Sequence, residues 1–368
     1  MSYDWFDLNR TDVWEFSMVA PQSLDQSYGL LEGVLLDSLN ITAGYYTDSR
    51  TSASLSFIGT GSYIPYSFIR ITHKIPEWNY EKEIGTYIVM SKPATYEKGT
   101  WKTKVTLGSQ LDKVAMNHAE EPWTLASGSK VSKALTDMMK KCGYEWINKS
   151  MNDHLIEETY VYDTGGTYLE RFYDLCSISN NRLDVDGHGH ITVEPYIAPK
   201  NKPAIFRLDL EDPKGIILEG VSLDTDYISV PNRCIVAYRF TYEDDGETYE
   251  AELRAHADAS SGPHTIGAIG YVISDFYEIT DVDDVNYESV QNLAKTRLSS
   301  LQQELIEWTI SCKYIPVWEG DVIAFSISNA PDGYSGVRQC LVKNVDIHPK
   351  EMTIDLTLKD LAGREYED

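Results

Sequence analysis

No apolar run in this 368-residue sequence approaches the roughly 18 to 20 residues of a membrane-spanning helix. Positive charge is scarce: 32 Lys and Arg stand against 57 Asp and Glu, giving a formal charge of −25 and a pI near 4.6. This argues against a nucleic-acid grip, which needs clustered Lys and Arg to neutralise phosphates. It fits solubility, or a surface that repels DNA. Cysteine is sparse too. Cys142, Cys176, Cys234, Cys312 and Cys340 are odd in number and show no CxxC spacing, which suits a reducing cytosol better than a disulfide framework. The acidic start Met1-Ser2-Tyr3-Asp4-Trp5-Phe6-Asp7 is unlike a signal peptide. The expectation is a soluble protein folded inside a cell. Walker loops, G-x-S-x-G and H-E-x-x-H are also absent.

What the sequence has in quantity is strand-forming pattern, with 25 Tyr against 9 Phe. Tyr suits half-wet sheet faces, because its ring buries area while its hydroxyl stays hydrated. The last sixty residues predict four strands, Trp308–Tyr314, Val322–Ser328, Arg338–Asp346 and Met352–Leu358. Thr353-Ile354-Asp355-Leu356-Thr357-Leu358-Lys359 alternates at every step, placing one row inward and one toward solvent. Such a meander cannot protect its own edges, so it needs a partner sheet or closure.

Residues 1–30 lack clear periodicity and read as an extended arm with an early strand. Strands are then predicted at Val34–Thr42, Ser52–Gly59, Tyr66–His73, Gly85–Ser91 and Trp101–Leu107, a spacing that suggests a small antiparallel barrel or sandwich. After a short helical piece, Gln110–His118, an amphipathic helix follows with Val131, Leu135, Met138, Met139 and Cys142 on its apolar stripe. Ser129 is its expected N-cap and Gly143 its left-handed stop. A second helix spans Tyr168–Ile178, where Thr167 and Glu170 have capping-box spacing. Strands resume at Gly215–Leu223, Asn232–Tyr242, Tyr249–His256 and Gly270–Ile279, and Asn286–Glu307 reads as the longest helix. The division expected is an N-terminal arm over 1–30, a β domain over 31–118, an inserted α+β domain over 119–212, and a second β domain with a long helix over 213–368.

Four stretches resemble the central tail or baseplate hub proteins of bacteriophages, the late-control-D-like family. They are Glu83-Ile84-Gly85-Thr86-Tyr87-Ile88-Val89; Gly128–Leu135 with Cys142-Gly143-Tyr144; Tyr168–Cys176 with Asn181-Arg182-Leu183-Asp184-Val185-Asp186-Gly187; and Val290–Leu305 with Tyr314–Ile323. The resemblance covers about residues 30 to 360 through order and texture. It implies a mainly β chain, α+β overall, with two tube-like antiparallel β-barrel domains and the α+β domain between them. It also implies a homotrimer whose pseudo-sixfold ring joins a hexameric tail tube to a threefold tip and lets DNA pass. The partners implied are tail-tube and distal tail proteins and a tip spike, fibre or receptor-binding protein. The expected place is the virion tail, assembled in the bacterial host cytoplasm, with no enzymatic role.

Candidate chemistry is weak beside local explanations. Asp184-Val185-Asp186-Gly187-His188 differs from a calcium loop, because Gly187 arrives early and Pro195 holds the twelfth position; a hairpin turn is the simpler reading. His188 and His190 have no third ligand nearby in sequence. Ser127-Gly128-Ser129-Lys130 matches S-x-x-K, but the K-T-G and S-D-N partners of that enzyme class are missing. Glu243, Asp244, Asp245 and Glu247 read as a solvated hairpin tip. Asp281, Asp283 and Asp284 favour a helix N-terminus. The Trp318-Glu319-Gly320-Asp321 stretch reads as a structural corner. No catalytic, cofactor-binding or metal-ligating residue is assigned, and no cofactor is expected. Two other functions fit the composition: a tail-associated peptidoglycan hydrolase, which needs two carboxylates across a cleft, and a carbohydrate-binding tail module using the eight Trp and 25 Tyr.

Overall fold

The computed structural model describes residues 4–361 except 6, 8, 9, 22, 61–67, 157–158, 163, 213, 219, 227–229, 245–246, 262–263, 281–286, 302–304 and 331–333. Eight strands build the first β region: β1 (Val13–Ala20), β2 (Ser23–Leu30), β3 (Val34–Gly44), β4 (Thr51–Ile58), β5 (Phe68–Ile75), β6 (Tyr80–Ser91), β7 (Ala94–Glu97) and β8 (Thr100–Gly108). After β8 come α1 (Gln110–Ala115) and then the inserted region, with β9 (Trp123–Leu125), α2 (Val131–Cys142), β10 (Trp146–Asn148), β11 (Tyr160–Tyr162), α3 (Tyr168–Ile178), β12 (Asn181–Val185) and β13 (Ile191–Pro195). The remainder comprises β14 (Phe206–Asp209), β15 (Ser222–Asp226), β16 (Arg233–Asp244), β17 (Glu247–Asp258), α4 (Ile266–Ile269), β18 (Ser274–Thr280), α5 (Tyr287–Leu301), β19 (Leu305–Lys313), β20 (Val322–Ile327), β21 (Gly336–His348) and β22 (Thr353–Asp360).

The terminal meander finds its partner in the first β region. β21 pairs antiparallel with β3, from Asn344↔Gly44 to Ile347↔Ile41, so both regions share one sheet ordered β15-β19-β22-β21-β3-β4-β8-β6-β5-β1-β2. Side chains from both ends fill one core: Ile41, Phe57 and Ile71 from the first region, and Trp308, Phe325 and Leu356 from the second. Alternation does this work. In β22, Ile354, Leu356 and Leu358 are wholly buried while Thr353, Asp355 and Thr357 stay partly wet. The residues expected as an arm join this sheet, with β1 against β5 over Val13↔Lys74 to Val19↔Phe68. Their polar stretches hid the period because β2 is an exposed edge. The chain is mainly β, with several antiparallel sheets; β14–β20, β10–β13 and β16–β18 pair in parallel.

The inserted region has its own core around Leu135, Met138, Phe172 and Leu175. Gly143 closes α2 in the left-handed conformation (φ +75°), as expected. The N-cap differs: the position belongs to Lys130, whose side chain caps nothing. Asp153 takes over, accepting from the Ser132 backbone N–H at 3.0 Å and the Ser132 hydroxyl at 2.9 Å. α3 carries the capping box as read, with Thr167 Oγ1 accepting from Glu170 N (3.2 Å) and Glu170 accepting from Thr167 N (2.9 Å). Thr167→Ala is expected to lower stability by about 1 kcal/mol, measured as a shift in the urea midpoint, with Thr167→Ser recovering most of it.

The strands after β15 depart from the sequence reading. β16, β17 and β18 form a separate three-stranded sheet, and α5 covers one face through Val290, Ala294 and Leu298. They do not extend the meander. The helix is also shorter than Asn286–Glu307: it ends at Leu301, and Leu305–Lys313 is strand. Leu305 kept the helical rhythm by coincidence, because Ile306, Trp308 and Ile310 set a period of two that buries them in the shared core. All five cysteines are free, four of them buried.

Candidate functional site

Two contacts that join the inserted region to the shared sheet fall on stretches singled out in the sequence. The first is the β12–β13 turn. Asp186 closes it by accepting from His190 N at 2.9 Å, and Gly189 bonds back to the Asp186 carbonyl at 2.9 Å. Its tip lies flat on β6: Thr86 donates to the Gly187 carbonyl at 2.9 Å, and a Cβ on Gly187 would stand 2.3 Å from the Glu83 carbonyl oxygen. Only glycine permits that approach. Beneath it the buried Arg70 donates to Thr86 (2.9 Å), to the Leu24 carbonyl and to the His188 carbonyl (3.3 Å). His188 and His190 face carboxylates, Glu83 at 3.8 Å and Asp25 at 3.7 Å. Their rings stand 6.1 Å apart, and no set of three metal-ligating side chains occurs among the described residues. This turn is a docking foot.

The second contact is the Trp318-Glu319-Gly320-Asp321 corner. Asp321 accepts from Trp318 N at 2.7 Å, and Gly320 takes φ +84°. Glu319 is thereby aimed inward, and its side chain is fully buried. Arg182 of β12 meets it at 3.0 Å, reaches Asp184 at 3.0 Å and lies over the Tyr45 ring at 4.8 Å. A Cβ on Gly320 would sit 2.4 Å from the Arg182 guanidinium. Lys202 donates to the Gly320 carbonyl at 2.8 Å. Burial, with Asp184 adding to it and Arg182 opposing it, pushes the Glu319 carboxyl up to about 8. Burial also raises Asp321 and lowers Lys202. Three parts of the chain converge here: β12, the Tyr45–Arg50 turn after β3, and the corner after β19.

Beside this junction opens a cavity of about 440 Å³ lined by Tyr45, Arg50, Tyr173, Asn181, Arg182 and Tyr196. Arg50 holds φ +57° and stacks near Tyr45 and Tyr173, 5.8 and 5.6 Å from their ring centres. The Tyr173 hydroxyl donates to the Asp48 carbonyl at 2.7 Å, tying α3 to the same turn. Tyrosine and arginine around a half-open groove are the side chains that contact surfaces favour.

A third buried polar group lies before β1. His73 Nε2 stands 2.6 Å from Asp12, and Arg10 donates to Asp12 (2.9 Å), the Trp5 carbonyl (2.6 Å) and the Tyr314 carbonyl (2.6 Å). A His–carboxylate pair is one part of a hydrolase triad. Here its neighbours are the rings of Trp14, Tyr80 and Tyr314, and the group fastens the segment before β1 to the core.

The pairs Asp12–His73 and Arg182–Glu319 are not legible in the sequence, because their members lie 61 and 137 residues apart. Of the remaining sequence candidates, Ser127–Lys130 sits in the turn before α2, and Asp244 pairs with Glu247 at the β16–β17 tip. Asp245, Asp281, Asp283 and Asp284 lie outside the described residues.

No protein-family model matches the sequence, and no curated protein matches it. Among solved structures, the chain is similar to a tail protein from Neisseria meningitidis MC58 at 11% identity and TM-score 0.62, over 95% of this chain and 97% of that one. It is similar to the 43 kDa tail protein of prophage MuSo2 from Shewanella oneidensis at 12% identity and TM-score 0.60, over 95% and 98%. A prophage tail protein from Listeria monocytogenes EGD-e, gp18, aligns at 13% identity and TM-score 0.51, over 94% of both chains. At such identities the likeness is one of fold, and the chain has the fold of these phage tail proteins.

Proposed function

We propose that this chain is the structural hub of a phage or phage-derived tail tip or baseplate. It forms a homotrimer whose pseudo-sixfold ring joins the hexameric tail tube to a threefold tip and lets DNA pass. The observation that carries this reading is the end-to-end likeness in fold to tail proteins, 95% of this chain on 97% of another. The two β regions supply the two tube-forming barrels, and the inserted region, residues 119–212, stands beside them. Its partners are tail-tube and distal tail proteins and a separate spike, fibre or receptor-binding protein, in a virion tail assembled in the host cytoplasm. The role is non-enzymatic, since the best-formed polar groups, Arg182–Glu319 and Asp12–His73, are enclosed in packing.

The charge of −25 suits a lumen that does not hold DNA. Electron-microscopy averages of the purified protein are expected to show a threefold ring with six similar tube-facing modules and an open centre. Averages showing isolated single chains at micromolar concentration would overturn the reading.

A further inference from the structure

β7 and β8 form a ribbon that leaves the body of the protein. Among the described residues β7 pairs only with β8, from Ala94↔Thr103 to Glu97↔Thr100, and all four of its residues are exposed. The ribbon turns through Lys98 (φ +48°) and Gly99 (φ +86°), the two left-handed residues of a tight hairpin. Among the described residues its last ties to the body are Gly59 N donating to the Trp101 carbonyl at 2.9 Å and Thr103 Oγ1 donating to the Gly59 carbonyl at 2.6 Å.

The inward row of β8 runs Leu107, Val105, Thr103, Trp101. The first three are buried to within 1% exposure, whereas Trp101 is 44% exposed and its cross-strand neighbour Tyr96 is 60% exposed. Their rings lie 5.3 Å apart. The core-facing row therefore continues past the end of the core as an uncovered aromatic pair. Ile58, in register with Lys102, is 54% exposed on the opposite face of the ribbon's base. Trp and Tyr are the side chains enriched at the energetic centres of contact surfaces.

The ribbon also reverses the sign of the chain. Residues 92–104 hold Lys92, Lys98, Lys102 and Lys104 against Glu97, a net +3 in a chain of −25. Lys98, Lys102 and Lys104 are exposed, and none forms an ion pair among the described residues. A basic, aromatic arm on an acidic body is complementary to the acidic surface of another copy.

We propose that the β7–β8 ribbon is an assembly arm that docks on the acidic surface of a second copy of this chain, with Tyr96 and Trp101 as anchors and the lysines as its steering charges. The arm and the surface it meets are different patches, so the contact is head-to-tail, the kind that generates a ring when its rotation closes. The inference rests on the ring reading above and names the element that makes the contact.

Sedimentation velocity of the full chain tests it, alongside Tyr96→Ala/Trp101→Ala and Lys98→Glu/Lys102→Glu/Lys104→Glu. Both variants are expected to raise the concentration for half-assembly by about 100-fold or more, with unchanged circular dichroism and thermal midpoint because the altered side chains are exposed. The lysine variant alone should lose the salt dependence of wild-type assembly. Wild-type trimers with variants that assemble equally well would overturn the arm and leave the ring reading standing. A wild type that stays monomeric across the concentration range would overturn both. Retardation of duplex DNA by the wild type, lost in the lysine variant while assembly is unchanged, would reassign the arm to nucleic acid and overturn the proposal.

Discussion

Replacing Arg182 by methionine is expected to loosen the junction by about 3–5 kcal/mol at pH 8.5, the cost of removing one partner from a buried ion pair. Methionine keeps most of the length of the side chain but cannot donate to Glu319 and Asp184, both 3.0 Å from Arg182 in the native junction. The contact over the Tyr45 ring is weakened with it. Glu319, with no exposed side-chain surface, is left as a buried carboxyl without its cation. At pH 6 the loss is smaller, because a neutral carboxylic acid tolerates burial better than a carboxylate. Hydrogen exchange reads this locally, through peptides covering Gly320 N→Val342 O and Val342 N→Asp321 O, the backbone bonds that hold the corner. A loss under about 1 kcal/mol at both pH values would show that Arg182 behaves as a surface residue.

The second large effect is a pH dependence. In the folded chain Glu319 is pushed up to about 8 from an ordinary 4.5, with burial the main cause. The folded state thus keeps this proton where the unfolded state has released it. Its contribution is fully present below pH 4.5 and is lost as pH rises through 8. The expected span is roughly 2–5 kcal/mol. Glu319→Gln carries no titrating group, so its stability should match the wild type near pH 5 and exceed it at pH 9. Asp153 and Asp258, both held below their usual range, titrate equally in both proteins and cancel in the difference. Parallel curves for the two proteins between pH 5 and 9 would mean that Glu319 is not the buried acid described.

The sequence exposed what local pattern governs. The terminal meander appears as β19 to β22 because its alternation is strict and its breaks carry turn residues. The capping box at Thr167 and Glu170 and the stop at Gly143 follow from residues three or four apart, and both are present. Long-range pairing was less visible. Nothing near Asn344 announces that β21 continues into β3, since that register is set by the shared core. In sequence the β16–β18 strands look like those of the meander; what separates them is the α5 face that covers them. The corner at Glu319 read as a turn, which it is. That its carboxyl is buried against an arginine 137 residues away depends on the fold alone. The same holds for Gly187, whose need for glycine arises from the Glu83 backbone, which only the folded chain brings within 3 Å of where a Cβ would be; Gly320 needs glycine locally, for its φ of +84°.

The central claim, a threefold structural ring, is tested most directly by the mass of the purified full-length protein in solution, measured by light scattering across micromolar concentrations. The account predicts a species of three times the 41.7 kDa chain, stable at moderate salt. A single mass of one chain at every concentration would contradict it.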